Sequence, residues 1–338
     1  MALSRDYWVD YAKAIGIVLV VFGHVLRGIF ESGIPLSESF YHYSDSIVYS
    51  FHMPLFFFLS GLFFFDSFKK RGPISFMANK VDTVVYPYFV WSIIQLSFAI
   101  LLSQYTNHPS NLNTLVSILW EPAGQFWFLY ALFFFFLFSI VIFYKTFTAS
   151  LTLACVGALI LYLFPPLFEL DGMIFIYFST YYLFFLLGAV FRKLDDISFL
   201  GQPKWIGSLF AVFLLSQYFF HFVMDMHFEQ RGVFTLWLAV VGILLVVAIS
   251  VWAAQKPSKW CLYLGSSSMA IYVMHILTGS GARVILDKFF GVDSFVIHLV
   301  AGFSAGLIVP LIALYLFNRF RLSYVFSAPI SKLVLPKA

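Results

Sequence analysis

Lys13 and His24 are the first residues in this chain whose types and spacing could do chemistry. Both lie in DYAKAIGIVLVVFGHVLRG, Asp10 to Gly28, a run otherwise suited to lipid. At about 100° and about 1.5 Å per residue, the steps from Lys13 to His24 return to nearly the same helix face roughly 16 Å further along. A stripe with a cation at one end and an imidazole at the other can hold an anion and exchange a proton. Asp10, three residues before Lys13, is spaced to neighbour it as an ion pair in the entry turn. Two more histidines stand inside apolar runs, His52 in SIVYSFHMPLFFFLSG and His275 in LYLGSSSMAIYVMHIL. Ionisable groups at membrane depth are costly and normally face a bundle interior or a wet cavity, so each is a candidate functional group. Structural readings stand beside that one: a histidine that only hydrogen-bonds a neighbouring helix, and a Lys13 that snorkels to the interface. Three histidines on three separate helices, with no local ligand spacing, give little reason to expect zinc, and no metal is expected.

The elements that must position these groups are transmembrane helices. The chain of 338 residues is 62% apolar and 11% charged, whereas a soluble domain is roughly half apolar and a quarter charged. Apolar runs near the roughly 20 residues needed to cross a bilayer recur throughout. They predict an all-α polytopic membrane protein, a single bundle of about ten helices over 11–30, 47–65, 82–102, 126–144, 149–165, 173–191, 205–223, 233–253, 260–282 and 295–318. The links KKRGPISFMANK, NHPSNLN, PPLFELDG, DDISFLGQPK and AQKPSK carry the Gly, Pro, Asn and charge that end helices. Pro54 and Pro87 are expected to bend their helices and free backbone carbonyls.

Lys and Arg are retained on the cytoplasmic side, and starting the N-terminus inside places 16 of the 20 basic residues there. Only Arg27, Arg231, Arg283 and Lys288 fall outside, and the acids lean the other way. Both termini are therefore expected in the cytoplasm, and this topology puts His24, His52 and His275 at similar depth in the outer half. The net charge of +4 reports topology and contact with membrane lipids, and gives no reason to invoke nucleic acid. Cys155 and Cys261 have no disulfide or metal-ligand spacing. The first helix has no small-x-small cleavage site after it and is expected to be a retained anchor. One domain over 1–338, without an appended soluble domain, is the expected organisation.

In this order the stretches RDYWVDYAKAIGIVLVVFGH, SFHMPLFFFLSG, VYPYFVWS, FWFLYALF, YYLFFLLGAVF and SSSMAIYVMHIL form a specific set. Together they resemble the acyltransferase-3 family of multi-pass membrane acyltransferases, especially the branch that O-acetylates sugars of bacterial cell-envelope polysaccharides. The family's first helix carries a basic residue, ten residues and a histidine, matched here by Lys13 and His24. The resemblance implies that this histidine is essential to transfer and that the basic residue supports the donor, acetyl-CoA or another acyl-CoA. An Arg-x-x-Arg pair before the third helix is tied to donor binding in the family. Here the matching positions ahead of YPYF are Lys80 and Thr83, so the pair is broken, and its role passes to Lys69, Lys70 or Arg71 or is lost. Many relatives carry a periplasmic hydrolase-like domain, which is not expected here. Acceptor recognition then falls to the bundle, its outer loops or a partner among polysaccharide-assembly proteins.

The chemistry so implied moves an acetyl or other short acyl group from a thioester to a hydroxyl of a sugar or polysaccharide at the bacterial inner membrane. It needs a base, an oxyanion stabiliser and cationic contacts for an anionic donor. His24 is the natural base, and a rise of roughly 16 Å to it from Lys13 is comparable to an extended pantetheine arm. A relay in which His24 is itself acylated first is the alternative chemistry. His52, Ser60, Trp127, Tyr272 and His275 lie in family-like motifs or apolar runs as supporting pocket residues, with packing as the alternative for the aromatics. The outer segment HFVMDMHFEQRG, with His221, Asp225, His227, Glu229 and Arg231, suits acceptor hydroxyls and equally suits a solvated loop. A transporter or flippase for a glycan or small anion is the competing class. It is disfavoured because no paired repeat with matching interrupted helices is visible.

Overall fold

Proline and glycine decide where the long apolar runs break. A computed structural model describes residues 6–105, 107, 111–144, 148–164 and 172–331. In chain order its helices are α1 Tyr7–Glu31, α2 Glu38–Tyr49, α3 His52–Leu62, α4 Phe64–Lys80, α5 Tyr86–Leu101, α6 Leu112–Ser117 and α7 Trp127–Phe143. They continue as α8 Thr148–Leu163, α9 Met173–Phe191, α10 Pro203–Tyr218, α11 Val233–Ala254, α12 Lys259–Ser266, α13 Ser268–Val284 and α14 Phe295–Arg319. No strand occurs among the described residues. Eight stretches among them are long and apolar enough to cross a membrane, and the molecule is an all-α polytopic membrane protein.

Three expected spans do not form single crossing helices, and one of them, 260–282, is divided between α12 and α13 at Ser267. The run 47–65 is divided between α2, α3 and α4, with Ser50 and Phe51 at the first break. Pro54 accounts for that break: it has no N–H for the carbonyl of Ser50, four residues earlier, and its ring crowds that carbonyl. Within 149–165 the described apolar helix is Ser150–Leu163, shorter than the others, and the expected link PPLFELDG lies outside the described residues except for Gly172. Pro87 acts like Pro54, and the backbone ahead of it widens into a π-turn over Val81–Val85. The expected link KKRGPISFMANK is instead mostly helical, kinked at Gly72, whose φ of 72° suits glycine. Pro73 follows as the first residue of the continuing helix, where its missing N–H costs nothing.

Packing divides the chain into two compact units, one formed by residues 1–59 and 190–310, the other by 60–189 and 311–338. In the first, α1 is the hub and packs on α2, α11, α12 and α13. Small residues make this closeness possible. A Cβ on Gly265 would stand 1.8 Å from the Asp10 carbonyl oxygen, and one on Gly242 would stand 2.5 Å from the Phe51 ring. The end of α1 near Lys13 is further tied by Arg192 to Asp6 at 2.9 Å and by the Ser258 N–H to the Tyr11 hydroxyl at 2.6 Å.

The second unit has an aromatic core. Phe76 meets Phe64 and Phe136 edge-on, each at 5.5 Å between ring centres, and Phe136 meets Phe185 at 5.6 Å. Such edge-to-face pairs add to the burial of the rings themselves. Gly61 lets α3 reach the Phe185 carbonyl, and Asp82 accepts the Ser331 N–H at 2.9 Å.

Candidate active site

In the first unit three imidazoles and one phenol come together. Each histidine sits mid-helix or at a helix start where a carbonyl one turn earlier can take its Nδ1–H. His24 donates to Val20 O at 3.0 Å, His52 to Val48 O at 2.8 Å and His275 to Tyr272 O at 2.7 Å. Pinning Nδ1–H in this way leaves Nε2 as the lone-pair nitrogen of a neutral ring. His24 is half-buried, whereas His52 and His275 are buried. Nε2 of each of those two has no hydrogen-bond partner among the described residues.

The rings touch edge to face. His24 and His275 are 4.9 Å apart between centres, and Tyr49 lies 6.2 Å from His24 and 4.4 Å from His52. Tyr49 reaches this position because α2 ends there, at the break set by Pro54. Gly23 opens the space beside it: a Cβ on Gly23 would stand 2.9 Å from the Tyr49 ring. Over the same ring lies the Arg27 guanidinium, 3.4 Å from its centre. Arg27 also grips Asp45 through two hydrogen bonds, Nε to Oδ1 at 2.6 Å and an NH2 to Oδ2 at 2.8 Å. A forked pair of this kind fixes orientation as well as charge.

Sequence reasoning missed Arg27, Asp45 and Tyr49. The signal was present: Arg27 stands three residues after His24, on the same face of α1, and Asp45 and Tyr49 share a face of α2. Arg283 is likewise buried, with its Nε 3.8 Å from where a Cβ on Gly28 would be. Tyr272 is buried beside the cluster, its ring 6.2 Å from His275, and contributes its carbonyl to that imidazole.

At the other end of the stripe, Lys13 is half-buried and Asp10 is buried against α12. The remaining expected residues belong to the second unit. Lys69, Lys70 and Arg71 are exposed on α4 just before its kink. Lys80 lies beyond the kink, its ammonium 4.1 Å from the centre of the Phe136 ring, a cation–π contact. Thr83, the other half of the broken pair, donates its hydroxyl to the Asn79 carbonyl. Ser60 is half-buried on α3 next to Gly61, and Trp127 stacks on Tyr177 at 5.2 Å. Among the described residues no group of His, Cys, Asp and Glu is arranged to hold a metal, and neither cysteine is in a disulfide there.

The family model described as an acyltransferase domain, acyltransferase-3, matches residues 6–315. The chain belongs to the acyltransferase-3 family. That match runs through both compact units and contains His24, His52, His275, Tyr49, Arg27 and Asp45. Among curated proteins the chain is similar to nodulation protein NolL of Mesorhizobium japonicum, 29% identical over 134 residues, 38% of this chain and 34% of that protein. It is also similar to nodulation protein NolL of Sinorhizobium fredii, 27% identical over 200 residues, 57% of this chain and 50% of that protein. The chain thus spans about a third to a half of the length of these relatives. No solved structure matches.

Proposed function

We propose that this acyltransferase-3 protein is a bacterial inner-membrane O-acyltransferase, moving an acetyl or other short acyl group from acyl-CoA to a hydroxyl of an envelope sugar or polysaccharide. The observation that carries this reading is the His24 imidazole, pinned through Nδ1 to Val20 so that Nε2 is the basic atom, among two more imidazoles and Tyr49. Nε2 takes the proton of the sugar hydroxyl while its oxygen attacks the thioester carbonyl. The tetrahedral intermediate collapses with loss of the thiolate, which takes up the proton and leaves as CoA. Negative charge on the carbonyl oxygen develops near Arg27, one turn along α1 from His24. At the other end of the stripe Lys13, on the cytoplasmic side in this reading, meets the phosphates of the donor. Lys69, Lys70 and Arg71 are proposed as a separate anion-facing surface of the second unit.

The test uses membranes, labelled acetyl-CoA and envelope glycans from a strain lacking the protein. His24→Ala and His24→Gln should lower transfer by roughly 10²- to 10⁴-fold, the range for losing a general base, with insertion unchanged. Lys13→Ala should raise the KM for acetyl-CoA with a smaller effect on kcat, and Lys13→Arg should be milder. Equal transfer by wild type and His24→Ala would overturn the reading, and glycan export without acylation would instead favour a transporter.

A further inference from the structure

Beyond the imidazoles, at the end of α1 away from Lys13, a cavity of about 270 Å³ opens between the first turns of α2 and the segment that joins α10 to α11. Glu38, His42 and Tyr43 line it from α2, and His221, Asp225 and His227 from the other side. Resting on the acyl-transfer reading above, we propose that this cavity seats one neutral sugar ring of an oligosaccharide acceptor, a ring next to the one that is acylated.

The lining selects for that chemistry. No lysine or arginine lines the cavity, and two carboxylates do, so phosphates and acidic sugars are repelled. Carboxylates accept hydrogen bonds from hydroxyl groups, and imidazoles and a phenol both give and accept them, which matches a ring bearing hydroxyls in several directions. The Tyr43 ring, packed at 4.7 Å on Phe222, offers a flat apolar face as well. The volume is just below the roughly 300 Å³ at which pockets for drug-sized ligands begin, which suits a single ring.

The cavity is built before anything enters it. Asp225 holds φ at 51°, a left-handed conformation uncommon outside glycine and concentrated at binding sites. The His221 ring lies between two acceptors, Nδ1 3.1 Å from Met226 O and Nε2 3.1 Å from Gln217 Oε1, and in its neutral form donates to one of them. The Gln217 amide in turn donates to Ser50 Oγ at 3.2 Å, inside the break between α2 and α3. Phe228 N–H donates to Ser46 Oγ at 2.9 Å, tying the loop down onto α2. Burial pushes the His227 imidazole below its ordinary value, as do His42 and Arg27, while Glu229 and Asp45 act in the opposite sense.

Distance assigns the ring its place. Glu38, His42, Ser46 and Tyr49 recur at helical spacing on one face of α2, so the cavity and the imidazoles share a wall. His42 stands about 10 Å along α2 from Tyr49, and Phe30, whose ring is 5.9 Å from His42, stands about 9 Å along α1 from His24. A hydroxyl on a ring held at His42 therefore falls short of His24, whereas the next ring of the same chain reaches it.

The experiment compares neutral tetrasaccharides of hexose and N-acetylhexosamine units with the corresponding monosaccharides, using the full chain in lipid nanodiscs. Wild type should show a tetrasaccharide KM at least about 10-fold below that of the monosaccharide. Asp225→Asn, chosen because Asn tolerates positive φ, and Glu38→Gln should each raise the tetrasaccharide KM roughly 10-fold, as for loss of a hydrogen bond to a charged group. Monosaccharide KM and kcat should stay within about twofold. Equal shifts for both acceptors, or none, overturn the proposal. Saturation-transfer NMR with the same tetrasaccharides gives a readout independent of catalysis. If wild type transfers no acyl group, the acyltransferase reading fails, and the cavity proposal survives only if tetrasaccharide binding is seen and is weakened in Asp225→Asn. Absence of binding by every tetrasaccharide refutes it.

Discussion

Gly265→Ala should damage the candidate site from its far side. Its Cβ would lie 1.8 Å from the backbone oxygen of Asp10, where ordinary contact begins near 3.4 Å, so α12 and α1 must separate by about 1.5 Å. No side chain can rotate to relieve this contact, because the atom it meets belongs to the backbone of a buried helix. Overpacking of this kind costs about 1–3 kcal/mol and sometimes more. The larger effect is expected on chemistry. α13, which carries His275, follows α12 after a single residue, Ser267, so the displacement changes the 4.9 Å spacing between His275 and His24. A misplacement of about 1 Å costs on the order of 10²-fold in rate. Thermal unfolding in detergent and acyl transfer are to be measured together, with Gly281→Ala as control, since nothing lies within 4 Å of a Cβ there and it sits on α13 itself. Gly265→Ala should lose activity by about 10²-fold while remaining folded at assay temperature. Wild-type melting and wild-type activity in Gly265→Ala would refute the claim that this contact sets the register of α13 against α1.

Asp45→Asn should lower the melting temperature and acyl transfer together. Breaking the forked pair costs up to about 3 kcal/mol, discounted because the Arg27 side chain is 30% exposed. Arg27→Met with Asp45→Leu should recover part of the stability and none of the activity if Arg27 faces the reacting carbonyl, which a double-mutant cycle reads directly. Gly23→Ala should displace Tyr49 and lower kcat more than either KM, and an unchanged kcat would show that Tyr49 is packing alone. The His227 imidazole, held below its ordinary value of 6.5 mainly by burial, is neutral at pH 7. Below pH 6.5 an unfolded imidazole takes up a proton that the folded one resists, so this residue's contribution to stability falls as the medium is acidified. The tetrasaccharide KM should accordingly be flat from pH 8 to about 6.5 and change only in acid, and His227→Gln should remove that acid limb. His42, Glu229, Asp45 and Arg27 face the same imidazole, and a limb that persists in His227→Gln would refute its assignment to His227.

The long uninterrupted apolar runs were legible because hydrophobic length needs no partner to interpret it. The expected 173–191 coincides with α9, 11–30 lies within α1, and 233–253 differs from α11 by one residue. Breaks were harder to place, since Pro54 signals a bend but the carbonyl it disables belongs to Ser50, a turn earlier. The link KKRGPISFMANK was misread because its charge suggested a loop, whereas a single left-handed Gly72 suffices to redirect a helix. The periodicity of α1 brought Lys13 and His24 to one face, and the topology placed His52 and His275 at a similar depth. Tyr49, Arg27 and Asp45 escaped notice because their importance comes from contacts across helices, which spacing within one helix does not encode.

The Arg27–Asp45 clasp also bears on how the protein is made. The two charges lie on consecutive helices, α1 and α2, with only the residues from Ser32 to Ser37 between those helices. A lone Arg or Asp at the middle of a helix adds about 2.5–3.5 kcal/mol to insertion on translocon scales, less toward its end. While α1 alone has emerged, Arg27 lacks its Asp45 partner; once α2 follows, those two charges are paired. Insertion of this end of the molecule is thus expected to be cooperative between its first two helices, α1 anchoring the chain and α2 supplying the partner of Arg27.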